Sequence, residues 1–136
     1  MTGPDCGDVA ARMAKPNSKY VAEDIFNPAL NGGQKPLNER GLDRILNFAD
    51  WVFTRPEHTI IVGGHSLWFR NFFKAFLSRV DNHPAKTCKM ENGACVAFTL
   101  NVGKGPQGPV QWIEPGSVVQ VFKGFVQPKG KKAKAD

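Results

Sequence analysis

His65, Ser66 and Arg70 are the residues whose types and spacing best suit chemistry in this 136-residue chain. An imidazole, a hydroxyl and a guanidinium can all donate hydrogen bonds to phosphoryl oxygens. They sit within TIIVGGHSLWFRNFFKAFL, residues 59–77. That stretch reads as a short apolar strand, a glycine pair and an amphipathic helix. A strand-to-helix junction is where open α/β sheets bind their ligands. There the first-turn amides and the positive end of the helix dipole would also face an anion.

The same residues admit a rival chemistry at Ser66. Gly64-His65-Ser66-Leu67-Trp68 falls one residue short of the Gly-x-Ser-x-Gly elbow of serine hydrolases. Trp68 stands where the second glycine belongs, and an indole at so tight a turn would strike its neighbours. The histidine after Ser66 is His83, with Asp81 only two residues before it. A triad needs its acid and its histidine on separate loops. His65 is therefore the stronger candidate.

Helices and strands must hold this junction in place. In LNERGLDRILNFADWVF, residues 37–53, Leu42, Ile45, Leu46, Ala49, Val52 and Phe53 recur at helical spacing. Asn38 is the expected N-cap, and Pro56 lies just past the other end. The β-branched run at 59–64 predicts a strand covered on both faces. Ser66 should cap the next helix, whose core face is Phe69, Phe72, Phe73, Phe76 and Leu77. The run DNHP should end it at Pro84.

Downstream, an Asn92-Gly93 turn should lead into a strand over residues 94–102. Residues 103–109 read as a loop, and VQWIEP and SVVQVFKG as two further strands. The order helix, strand, helix, strand predicts an α/β fold. It takes the form of a partial three-layer sandwich with a parallel sheet flanked by helices. Residues 1–36, broken by Pro4, Pro16, Pro28 and Pro36, form an irregular N-terminal segment. Residues 37–125 form the α/β half-domain, and 126–136 a basic, disordered tail.

Composition narrows the classes. Hydrophobic residues at 41% and charged residues at 22% suit a folded domain rather than a disordered chain. No apolar run is long enough to span a bilayer, and the first 20 residues lack a signal-peptide core. No membrane role and a cytoplasmic location are therefore expected. Cys6, Cys88 and Cys95 form neither a CxxC pair nor an even set, so reduced thiols are expected, not a disulfide framework or thiolate zinc site. Net charge is +6, and Lys129, Lys131, Lys132 and Lys134 crowd the tail. That tail lacks interleaved aromatics, so nucleic acid is not the expected partner. The basic balance suits an anionic ligand.

Residues 37–102 resemble the second half of the histidine phosphatase superfamily, the phosphoglycerate-mutase-like proteins. The resemblance rests on Val62-Gly63-Gly64-His65-Ser66, with Arg70 five residues after the histidine. It extends through NERGLDRILNFADWVFTRPEHTIIVGGHS on one side and KMENGACVAFTLNV on the other. In that family a first-strand Arg-His-Gly supplies the nucleophile, which becomes phosphorylated. Arginines hold the phosphoryl oxygens, a carboxylate protonates the leaving oxygen, and a second histidine stabilises the transferring group. The resemblance makes His65 that second histidine, with Ser66 and Arg70 as substrate-binding residues. It implies no metal and no cofactor, and a phosphorylated small molecule or phosphoprotein as the partner of a competent enzyme.

The chain departs from the pattern in one decisive respect: it contains no Arg-His-Gly. Its other histidines, His58 and His83, read as solvated turn residues. Glu23 and Glu39 precede the 59–64 run, and neither matches the family's acid. The expectation is thus a phosphomonoesterase or phosphomutase relative that is inactive alone, as a C-terminal fragment with the N-terminal part missing or as a degenerate relative. The alternatives are a non-catalytic phosphate-binding or interaction module and, behind both, a serine hydrolase using Ser66. An incomplete sheet would also favour self-association.

Overall fold

The computed structural model describes Asn27, Ala29 and residues 40–126. Among the described residues from 40 to 126, two helices precede six strands. Helix α1 spans Gly41–Phe53 and helix α2 spans Ser66–Phe76. A 3-10 turn follows at Pro84–Lys86. The strands are β1 Lys89–Met90, β2 Cys95–Ala97, β3 Leu100–Gly105, β4 Gly108–Ile113, β5 Val119–Phe122 and β6 Phe125–Val126.

The strand pairing is nested: β3 with β4, β2 with β5 and β1 with β6, every pair antiparallel. The result is one long, interrupted ribbon that folds back on itself at Pro106–Gln107. Gly105 opposite Gly108 closes the turn. A Cβ on Gly105 would collide with the Val110 side chain, so this closure needs glycine there. Each interruption has a local cause. Gly93, at φ 73°, makes a turn in which the Ala94 N–H donates to the Glu91 carbonyl at 3.0 Å. Pro115-Gly116 makes a second, with Gly116 at φ 76° and the Ser117 N–H on the Glu114 carbonyl at 3.1 Å. Proline then glycine at the two central positions is the type II signature. Between β2 and β5 the register slips after Cys95, which leaves Val121 as a bulge.

This architecture corrects the expected parallel sheet flanked by helices. Among the described residues every ladder is antiparallel, and no strand forms at 59–64. Antiparallel partners can be joined by a two-residue turn, whereas parallel partners need a long crossover. The strand-forming residues after 88 satisfy one another locally, so none is left beside 59–64. Other boundaries shift as well. The segment 94–102 divides into β2 and the start of β3, and the expected loop at 103–109 supplies both ends of the hairpin. Helix α2 ends at Phe76, before DNHP, because Leu77 turns extended at ψ 145°. Pro84 instead opens the 3-10 turn. The N-cap of α1 is Arg40; the expected cap, Asn38, lies outside the described residues, as do Cys6 and the lysines after 126.

The core lies where α2 meets α1, the 3-10 turn and the ribbon. Phe72, Phe73, Phe76 and Leu77 are buried, as the helical stripe predicts, with Ile45 and Ala49 from α1. Phe69 is only partly buried. Aromatic contacts link the layers: Phe48 meets Trp68 edge-on at 5.1 Å, and Phe73 meets Phe98 at 5.3 Å and Phe125 at 6.0 Å. Gln111 of β4 also donates to the Asp50 carboxylate of α1 at 2.5 Å. Leu42, Leu46 and Phe53, expected on the core face of α1, remain exposed. Of that stripe, Ile45 and Ala49 are the residues buried in the core shared with α2.

Candidate functional site

The junction carrying His65 forms without its strand. Residues 59–65 have no regular secondary structure, and α2 starts at Ser66. His65 is the N-cap residue, extended at φ −93° and ψ 148°, and its carbonyl accepts the Phe69 N–H at 3.1 Å. Its imidazole is exposed and caps no amide of the helix. The N–H groups of Ser66, Leu67 and Trp68 precede the first intrahelical donor, so they point outward from the helix end. Ser66 thus occupies the first helical position rather than the cap.

Ser66 and Arg70 are four residues apart in α2, which sets them on one face, a turn apart. Ser66 and Arg70 are both half-buried. The Arg70 Nε is shielded from solvent and has no hydrogen-bond partner. Gly64 packs close to the Phe69 ring, where an added Cβ would lie 3.3 Å from the ring carbon Cζ. The backbone before His65 therefore lies against the helix it introduces. The arrangement offers outward amides, an exposed imidazole and, a turn away, a guanidinium. These groups can accept an anion and do not assemble a nucleophile and a base.

The other expected positions separate from this junction. His58 is exposed, as a solvated turn residue should be. His83 is not: it is half-buried, its Nδ1 accepts the Ala85 N–H at 3.1 Å, and its ring meets Phe125 edge-on at 5.8 Å. Its capping role follows from its place just before Pro84 at the first 3-10 position, a signal legible in the sequence as His-Pro. Among the described residues, neither histidine hydrogen-bonds Ser66. Cys88 is buried and Cys95 exposed, and both are free thiols. Trp68 is half-buried, while Trp51 and Trp112 are each more than a third exposed.

Two shallow concavities lie along the β3–β4 hairpin, lined by Val102, Gly103, Lys104 and Pro109 and by Pro106, Gln107 and Val110; neither includes His65. Among the described residues no helix is long and apolar enough to cross a membrane. Comparison with known protein families, curated proteins and solved structures matches none of them.

Proposed function

We propose that the chain binds a phosphoryl group at the N-terminus of α2 and does not turn it over. The observation that carries this reading is His65 itself: an exposed imidazole at the N-cap of an 11-residue helix whose first amides it leaves uncapped. Such a helix end attracts anions through its N–H groups and dipole. The resemblance of Val62–Arg70 to the second-histidine segment of the histidine phosphatases supports the same ligand. Turnover through a phosphohistidine needs an attacking histidine, and the chain has no Arg-His-Gly. Loss of one member from a site that acts as a unit removes most of the rate.

The test is a titration of the full chain with inorganic phosphate, followed by the backbone amide signals of Ser66, Leu67 and Trp68. Those signals should shift saturably, and His65→Ala should abolish the shift with the fold unchanged. A generic aryl phosphate should be hydrolysed no faster than in buffer. Shifts that persist in His65→Ala remove the imidazole from the site. Hydrolysis by both the wild type and His65→Ala overturns the reading altogether.

A second reading, an interaction module, has its own support in the segment just before His65. Ile61 is 97% exposed and Val62 38% exposed. An apolar β-branched run left in solvent is a natural site for pairing with another chain.

A further inference from the structure

We infer that the 3-10 turn Pro84–Lys86 is a pH-sensitive latch, held closed by unprotonated Nδ1 of His83 and released when that nitrogen takes a proton. The His83 Nδ1 accepts the Ala85 N–H at 3.1 Å. A ring nitrogen accepts only when it bears no proton, so the latched ring is neutral and carries its hydrogen on Nε2. Protonated imidazole is a donor at both nitrogens. Its Nδ1–H would then face the Ala85 N–H, and one bond would become a donor–donor clash. Ala85 is fully buried, so its abandoned amide has no ready access to water. Opening the turn relieves both defects.

The latch holds core residues in place. Within the turn the Cys88 N–H donates to the Pro84 carbonyl at 2.8 Å, and the Cys88 side chain is buried beyond it. The turn packs against α2, and the His83 ring lies against Phe125 of β6. Release therefore loosens one wall of the core.

The Asp81 carboxylate accepts the His83 backbone N–H at 2.9 Å. The Lys86 ammonium is tied to the carbonyls of Ser78 at 2.9 Å, Asp81 at 2.7 Å and Arg79 at 3.4 Å. On the elements packed against the turn the charged residues are Arg70 and Lys74 of α2; β1, which pairs with β6, adds Lys89. Carboxylates, lysines and arginines ordinarily keep their charge between about pH 5.5 and pH 7.5, whereas imidazole changes its own there.

The experiment measures hydrogen-exchange protection of the Ala85 amide in the full chain at about pH 7.5 and about pH 5.5, corrected for intrinsic rates. Wild-type protection should fall at least about fivefold on acidification, the equilibrium effect of one lost hydrogen bond. His83→Asn places an amide oxygen where Nδ1 lies and does not titrate. It should keep the protection at both pH values. Protection that is unchanged in the wild type, or that falls equally in His83→Asn, overturns the latch. Should the variant fail to fold, the ring nitrogen signals of the wild type decide alone. Nδ1 protonated at about pH 7.5 overturns the inference, and Nδ1 unprotonated there with loss of the Ala85 bond on acidification supports it.

Discussion

Phe73 of α2 meets Phe98, in the break between β2 and β3, with ring centres 5.3 Å apart and ring planes 70° apart. This contact joins the helix to the ribbon, and Phe73 is only 1% exposed. It also touches Phe125 from the far end of the ribbon. Phe73→Ala would leave a cavity with three elements around it. Such truncations cost about 3–5 kcal/mol. A urea melt should show a loss in that range. A loss below about 1 kcal/mol would mean that the ribbon does not depend on α2.

The helices were legible because their signal is periodic and local. Phe72, Phe73 and Phe76 recur at helical spacing, and Gly-His-Ser marks a start. The Asn92-Gly93 turn was legible for the same reason, since its residues need no distant partner. The sheet was not. TIIV at 59–62 carries strand chemistry, but a strand exists only where another strand pairs with it, and pairing is a nonlocal fact. The site divides in the same way. His65 at a helix start could be read from its neighbours. The ligand-binding junction expected around it needed a parallel sheet, and His65 stands exposed instead.

Two glycines allow the turn chemistry to be separated from general flexibility. Gly93 sits at φ 73°, and an added Cβ there would meet nothing within 4 Å. Gly93→Ala should therefore cost about 1 kcal/mol, all of it from a left-handed backbone. Gly63 has equal room and no positive φ. Gly63→Ala should be neutral or stabilising by up to about 1 kcal/mol, because it restricts only the unfolded chain. Thermal melts of the two variants should move in opposite directions or differ by that margin. Equal losses would refute the assignment of the Glu91–Ala94 turn.

Arg55 and Glu57 form a two-point ion pair within the segment that leads from α1 to His65, with contacts of 2.9 and 3.1 Å. Hydrogen bonding from the guanidinium, first of all, holds the Glu57 carboxyl below its ordinary value of 4.5. A lowered carboxyl contributes stability above its unfolded value, and that contribution disappears as pH falls through the folded one. The window therefore lies below about pH 4.5. Both side chains are exposed, so the effect on stability should be small and weakened by salt. The sharper measurement follows the Glu57 carboxylate carbon by NMR. Arg55→Gln should raise its titration midpoint toward the ordinary value. An unmoved midpoint would show that the pair does not persist in solution.

Ile61 poses the opposite problem from Phe73, since it is apolar and almost wholly in solvent. Among the described residues no strand pairs with 59–64. Burying such a side chain in an association would gain about 1.5–3 kcal/mol, with main-chain pairing adding to it. Lys at this position would oppose that pairing, as edge charges do in natural sheets. Ile61→Lys should therefore leave the melting temperature of the dilute chain nearly unchanged, since the side chain contributes little to the core. At raised concentration its sedimentation distribution should also lie closer to monomer than that of the wild type. Self-association that is equally strong in Ile61→Lys would place the contact elsewhere, with exposed Val119, Val121 and Phe122 of β5 the next surface to test. A wild-type chain that stays monomeric at every concentration would leave the interaction reading without a homotypic partner.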